Sequence, residues 1–209
     1  SCAWWRSRRW PLRRRSRATD VARRKATPDV AFETIDVWRK VTPELQAELV
    51  EFWTRHRAIP DAERAKLRAL QAVCIARNAQ GELCGVATAM LRIIPRLRQP
   101  TYYFRQFFAP EMRGQQQARP FFHQACRILE EGNKHKPESL GILLEIENQG
   151  LNVHFTKAVA PGTGAVFIGY SPRGFQLRVI YFEGAALFPP APLRRRRIAP
   201  ARPAAPTAA

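Results

Sequence analysis

Acidic residues, clustered cysteines and long apolar stretches are all scarce in this sequence. Seventeen Asp and Glu residues face 35 Lys and Arg residues, so the formal net charge is +18. The four cysteines show no Cys-x-x-Cys or Cys/His ligand spacing, so they predict no zinc site and fit apolar residues in a reducing compartment. No apolar run approaches the roughly 18 residues that span a bilayer, and no secretory signal core is present. We therefore expect a soluble, cytoplasmic protein.

The positive charge is concentrated at the two ends of the chain. Residues 1–30 hold +8 and residues 185–209 hold +5, which leaves +5 for residues 31–184. The first segment mixes arginine with tryptophan, and the last is rich in Pro, Ala and Arg. Such segments do not bury a core, so we expect two disordered basic ends around one domain. The first segment has two further possible functions: it binds nucleic acid or an anionic surface, or it is an organellar transit peptide.

The domain begins with patterns that predict a strand, two helices and a hairpin. Residues 31–41 alternate as a strand does, and Thr42-Pro43 starts a helix that ends near His56. A second helix follows over residues 62–71, and residues 71–94 form a hairpin around Asn78-Ala79-Gln80-Gly81. A disulfide across this hairpin, between Cys74 and Cys84, is an open alternative. The residues expected on the buried helix faces are Leu45, Leu49, Val50, Trp53, Leu67 and Leu70.

The stretch from Thr101 to Glu131 is the one around which the chain is organised. An aromatic strand over 101–108 is followed by a polar turn and then by an amphipathic helix, with a C-cap expected at Gly132-Asn133. A strand, a polar turn and a helix in this order direct free backbone N–H groups at an anion. The apolar positions at helical spacing are Phe121, Phe122, Ala125, Cys126 and Leu129.

The turn within this stretch resembles a known cofactor signature. Phe108-Ala109-Pro110-Glu111-Met112-Arg113-Gly114-Gln115-Gln116-Gln117-Ala118 is similar to the acetyl-CoA signature of the GCN5-related N-acetyltransferases (GNAT). Gln116 stands where that family usually has its second glycine. The resemblance implies acetyl-CoA as cosubstrate, with its pyrophosphate on the amides that open the helix. The implied cofactor-binding residues are Phe107, Phe108, Arg113, Gly114, Gln115, Gln116, Gln117 and Ala118.

The remaining elements complete a mixed sheet. A nearly continuous apolar strand over 141–147 is followed by a short helix over 151–160 and a closing hairpin over 165–182. The strands at 101–108 and 141–147 are expected to be parallel neighbours joined by the long helix. This order resembles the GNAT-like acyl-CoA N-acyltransferase fold, so we expect a single α/β domain with a mixed sheet.

Catalysis in the resembled family needs a base for the amine and a proton donor for the leaving thiolate. Glu145 and Glu147 are the candidate bases, because they share one face of the strand beside the central strand. Tyr170 is the first candidate donor and Tyr181 the second. Alternatively, both glutamates are charges on the solvent side of the strand, and Tyr170 is an aromatic residue that packs in the fold. The four histidines are spread out and predict no metal site.

Two functions follow from these patterns, and a third is weaker. The first is an N-acetyltransferase that moves an acetyl group from acetyl-CoA to a primary amine by direct attack. The second is a non-catalytic module of the same fold that contacts nucleic acid or anionic surfaces through its basic ends. A basic nucleic-acid-binding protein of another fold is the weakest, because the charge lies in the low-complexity ends. The acceptor amine is not identified, and a homodimer stays open.

Overall fold

The structure is a computed structural model of the chain, and it describes residues 32–112, 118–148, 150 and 155–192. Its first half comprises β1 (Phe32–Asp36), α1 (Pro43–Arg55), α2 (Ala62–Ala69), β2 (Ala72–Asn78) and β3 (Leu83–Ile93). Its second half comprises β4 (Pro100–Phe108), a 3-10 turn (Pro110–Met112), α3 (Ala118–His135), β5 (Gly141–Ile146), β6 (Val166–Tyr170) and β7 (Gln176–Tyr181).

The strands form one seven-stranded sheet in the order β1-β2-β3-β4-β5-β7-β6. All neighbours are antiparallel except β4 and β5, which pair parallel and are connected through α3. This confirms the predicted mixed sheet and the predicted parallel neighbours. None of the helices within the described residues is long and apolar enough to cross a membrane.

The two faces of the sheet carry separate cores. On the α3 face, Phe121, Ala125 and Leu129 of α3 are fully buried among aromatic and aliphatic side chains of the sheet. On the opposite face, which we call the α1/α2 face, α1 packs on β2 and β3 through Leu49, Phe52 and Trp53. A third cluster on this second face lies over β4, β5 and β7: Ile94, Tyr103, Leu143, Leu177 and Val179.

Helix α1 begins as predicted. The Thr42 side chain accepts a hydrogen bond from the Leu45 N–H at 3.3 Å, and Pro43 occupies the first helical position. Leu49 and Trp53 are buried as expected, and Phe52 is buried with them.

Helix α2 buries a different face from the predicted one. Leu67 and Leu70, which we expected inside, are 65% and 56% exposed. Ala65 and Ala69, one turn apart, are fully buried instead. Small side chains at this spacing let the helix backbone approach the core closely, which turns the leucines outward.

Helix α3 continues past its predicted C-cap to His135. Gly132 lies inside the helix, and a Cβ there would stand 3.0 Å from the Trp38 Nε1 atom, so glycine allows this close packing. The Asn133 side-chain oxygen accepts hydrogen bonds from the N–H groups of Glu138 and Ser139, both at 3.0 Å. Gly132 and Asn133 therefore pack the helix and fix the next loop rather than end the helix.

The second half of the short helix predicted over 151–160 is not helical. Residues 151–154 lie outside the described residues, and 155–160 form bends and an isolated bridge. The 2% exposed Arg178 of β7 holds this segment by donating to the carbonyls of Phe155 at 2.7 Å and Lys157 at 3.0 Å.

The chain beyond the last strand runs along the loop before β4. The Arg98 Nε donates to the Ala191 carbonyl at 2.7 Å, and Gln99 exchanges two hydrogen bonds of 2.8 Å with the backbone of Phe188. The first part of the predicted C-terminal segment, through residue 192, is thus in contact with the domain; the rest lies outside the described residues.

The described cysteines are free thiols, so the alternative of a disulfide across the hairpin is wrong. Cys74 and Cys84 are buried, and burial raises the pKa of both. Burial likewise raises the pKa of Cys126 to about 12. Thiols with such high pKa values are neutral apolar residues at physiological pH.

Candidate functional site

The two central strands separate partway along their length. Residues 102–104 of β4 are in register with residues 142–144 of β5. Beyond these three pairs β4 continues to residue 108 and β5 to residue 146, with no further pair between them among the described residues. The carboxyl ends of two parallel strands therefore diverge at the middle of the sheet, where open α/β folds place their ligands.

Glu145 stands at this divergence and is tightly held. Its side chain is 7% exposed and lies on the α1/α2 face, because its partner on β7 is Leu177 of the third cluster. It accepts a hydrogen bond from the Tyr103 hydroxyl and an ion-paired hydrogen bond from Arg173 at 2.9 Å. Burial raises the pKa of Glu145, but hydrogen bonds from Tyr103, Ser171 and Arg173 outweigh it and hold the pKa below its ordinary value.

Glu147 lies two residues farther on and is more open. Its side chain is 49% exposed, and among the described residues its carboxylate is bonded to Arg173 alone. Arg173, in the turn between β6 and β7, thereby bridges the two glutamates. The structure thus brings both predicted base candidates together through a residue that the sequence did not single out.

Tyr103 connects this carboxylate to a group of arginines. The Arg105 guanidinium donates to the Tyr103 hydroxyl at 2.9 Å, and its central carbon lies 4.6 Å from the centroid of the tyrosine ring. The corresponding carbon of Arg92 lies 5.0 Å from the same centroid. Burial and the hydrogen bond to Glu145 raise the pKa of Tyr103, while Arg105 opposes the shift. The phenol is therefore protonated at neutral pH and serves as a donor to Glu145.

A cleft of about 240 Å³ opens beside Tyr103, and we call it the arginine cleft. It lies on the α1/α2 face between α2, β3 and β4. A smaller cavity of about 30 Å³ adjoins it and shares Arg68, Thr88 and Arg105. The cleft is lined by Arg64, Leu67, Arg68, Gln71, Thr88, Met90, Arg92, Tyr103 and Arg105.

The predicted cofactor-binding residues fall into two groups. Arg113, Gly114, Gln115, Gln116 and Gln117 lie outside the described residues, so their assignment stays a prediction. Ala118 is the first residue of α3. The side chain of Phe108 packs against Phe32 and Phe121 on the α3 face, and that of Phe107 packs against Phe52 on the other. The Phe108 ring is buried, so a cofactor contact at that residue would involve the main chain, whereas the Phe107 ring is only partly buried.

The start of α3 has a positive environment. Its first turn carries Arg119 and no acidic residue. The Arg119 Nε lies 3.4 Å from the His123 Nε2, and burial together with Arg119 and Arg127 lowers the pKa of His123. A Cβ on Gly162 would stand 2.9 Å from an Arg119 nitrogen, so the loop before β6 passes close to this turn.

The predicted tyrosines do not join the glutamates. Tyr170 is 55% exposed and pairs with Gln176, the neighbour of Leu177, so it lies on the α3 face, opposite Glu145. Tyr181 pairs with Gly141 at the start of β5, about 13 Å along the strand from Glu145. The structure therefore does not bring Tyr181 near the divergence, while the role of Tyr170 stays a prediction.

Sequence reasoning missed Tyr103, Arg105 and Arg173. Tyr103 and Arg105 are two residues apart on a strand, so they share the face that Glu145 also uses. That alternation was a readable signal once β4 and β5 were paired. Arg173 sits in a turn, and no local pattern shows that a turn residue reaches across to another strand.

Comparisons with known proteins bear on the fold. No protein-family model matches the chain, and no curated protein matches it either. The crystal structure of a GNAT-family acetyltransferase from Streptococcus pneumoniae matches with a TM-score of 0.51 at 13% identity, covering 72% of this chain and 99% of that one. A crystal structure described as a bacterial toxin matches with a TM-score of 0.51 at 11% identity, covering 73% and 91%. The chain thus has the GNAT fold, which confirms the predicted fold class.

Proposed function

We propose that this protein is an N-acetyltransferase that transfers an acetyl group from acetyl-CoA to a primary amine. The observation that carries the proposal is the divergence of β4 and β5 after three registered pairs, with a held carboxylate, Glu145, at the point of separation. The GNAT fold, with the cofactor signature that the sequence resembles before α3, supports the same function.

The residues around the start of α3 fit an anionic cofactor. Helix N-termini favour negative charge, and Arg119 adds a cation with no acid nearby in the first turn. Arg119 and the residues just before Ala118 are the ones that would hold the phosphates of acetyl-CoA. When bound, acetyl-CoA supplies the thioester carbonyl that an amine attacks.

The two glutamates have different parts in this proposal. An amine arrives as an ammonium ion and must lose a proton before it attacks. The Glu145 carboxylate is already held by Tyr103 and Arg173 and its pKa lies below the ordinary value, so it is a weak base that attracts the ammonium. Glu147, whose carboxylate is half exposed, accepts the proton directly or through a water molecule.

Tyr170 is the proposed proton donor for the leaving thiolate. Its hydroxyl is on the α3 face, whereas both glutamates are on the α1/α2 face. In this proposal the amine approaches from the side of the glutamates, and the Tyr170 hydroxyl reaches the sulfur in the gap between β4 and β5 from the other side.

Release of free thiol from acetyl-CoA by the full chain, measured against a panel of primary amines, tests the function. We expect amine-dependent release and, at a cofactor concentration about 100 times its Kd, stabilisation by about 2.7 kcal/mol. Glu147→Gln should lower kcat. Glu51→Gln is the matched control, because Glu51 pairs with Arg55 on the surface of α1. If millimolar acetyl-CoA causes no thermal shift, the proposal is contradicted.

A further inference from the structure

Four arginines from three elements meet in the arginine cleft. Arg64 and Arg68 come from α2, Arg92 from β3 and Arg105 from β4. None of them has a carboxylate partner within 4 Å among the described residues, although Arg77 and Arg173 elsewhere in the domain do. The cleft therefore concentrates positive charge without a direct ion pair, and the carboxylate of Glu147, outside the lining, only partly opposes the effect on Arg68.

The grouping is unfavourable for the empty protein. Burial, followed by repulsion from Arg105 and Arg64, lowers the pKa of Arg68. The Arg105 Nε is buried and has no hydrogen-bond partner. A buried donor without an acceptor and like charges side by side both cost free energy, and a bound anion relieves both. A guanidinium cluster with a spare donor is suited to carboxylate or phosphate oxygens.

The cleft is connected to the proposed reaction site through one side chain. Tyr103 lines the cleft and donates its hydroxyl hydrogen to Glu145, while Arg105 donates to the same hydroxyl at 2.9 Å. An anion held by Arg105 thus lies one side chain away from the carboxylate proposed to attract the ammonium. A molecule that carries both charges can span the two positions.

We infer that the arginine cleft binds a carboxylate or phosphate group of the acceptor, so that the substrate is a small amine carrying a negative charge. The volume of about 240 Å³ is somewhat below that of drug-sized ligand pockets, which fits a small molecule. Leu67 and Met90, 65% and 42% exposed, offer apolar contact to the segment between the charges. That the bound molecule is the acceptor rests on the proposed function, whereas the anion site rests on the cleft alone.

Direct binding to the full chain, measured calorimetrically without acetyl-CoA, tests the anion site. O-phosphoethanolamine is compared with ethanolamine, and 4-aminobutyrate with butylamine, because each pair differs by the anionic group. The anionic member should bind at least about tenfold more tightly in one pair or both, as expected for charge-assisted hydrogen bonds. The pair with the larger ratio distinguishes phosphate from carboxylate.

Charge-removing variants show whether the anion binds in the cleft or elsewhere on the basic chain. Arg64→Gln and Arg68→Gln should each weaken binding of the preferred anion about tenfold. Arg55→Gln, which removes the same charge from an exposed ion pair on α1, should leave binding unchanged. Equal binding within each pair, or binding that survives both cleft substitutions, overturns the inference.

The same samples distinguish this inference from the proposed function. Acetyl-CoA binding is measured separately, and its absence refutes the acetyltransferase while the anion site is judged on the amine pairs. If acetyl-CoA binds and thiol release is as fast with ethanolamine and butylamine as with their anionic partners, the acetyltransferase stands and the inferred acceptor class is wrong.

Discussion

Replacing Glu145 by Gln removes one charge from the centre of the site with little change in shape. The carboxylate oxygen Oε2 accepts from both Tyr103 and Arg173. In the variant the amide oxygen can take that position. The hydrogen bonds then persist but are weaker, because the acceptor no longer carries a charge.

The expected cost follows from this exchange. Hydrogen bonds to charged groups contribute about twice as much as neutral ones, so two weakened bonds cost about 1.5 kcal/mol at pH 7. For a domain of this size the loss corresponds to a Tm lower by about 3–6 °C. Arg173 keeps its contact with Glu147, which limits the loss.

The pH dependence gives the sharper test. The pKa of folded Glu145 is held below its ordinary value near 4.5. Its ionised form therefore adds stability that is fully present above that value and is lost as the pH falls through the lower folded-state pKa. The difference in Tm between the native protein and Glu145→Gln should stay constant from pH 7 to about pH 5 and shrink as the pH falls further toward 3.

Thermal unfolding followed by circular dichroism over this pH range measures the difference. Glu51→Gln, an exposed i,i+4 pair, should change stability by less than about 0.5 kcal/mol at any pH. A Tm difference for Glu145→Gln that stays constant with pH, or none at pH 7, would show that the carboxylate is not held as described.

Two further changes test the packing around the site. Arg178→Met removes the donors that hold residues 155–165 against β7, and urea titration should show a loss of about 2 kcal/mol; no change in midpoint would mean that this segment is held otherwise. Gly141→Ala places a Cβ 2.1 Å from the Ile180 carbonyl oxygen in a strand buried on both sides, so it should cost about 3 kcal/mol in the same assay; native-like stability would contradict the close approach of β5 and β7.

The sequence predicted those elements whose signals are local. The cap at Thr42 and the glycine turn at 78–81 depend on neighbouring residues, and both occur where they were expected. The face of α2 was predicted wrongly because hydrophobicity favours Leu67 and Leu70, whereas close helix packing favours Ala65 and Ala69. Local pattern does not show which of these two preferences prevails.

The site was predicted in part. Alternation along β5 placed Glu145 and Glu147 on one face, as found, because strand parity is a local property. The arginine cleft was not predicted, since its members come from α2, β3 and β4 and converge only when the sheet is assembled. Nothing in the spacing of Arg64, Arg92 and Arg105 along the chain indicates that they meet.

The short register between β4 and β5 also bears on how the domain assembles and opens. In the first group, β2 to β4 follow one another as an antiparallel meander whose contacts are close in sequence and form early, while β1 joins β2 across α1 and α2. The second group, β5 to β7, joins through three residue pairs and the helix that crosses between them. Amide hydrogens in the β4–β5 pairs should exchange with solvent sooner than those within either group. The packing of α3 across both groups is then what keeps the two parts of the sheet together.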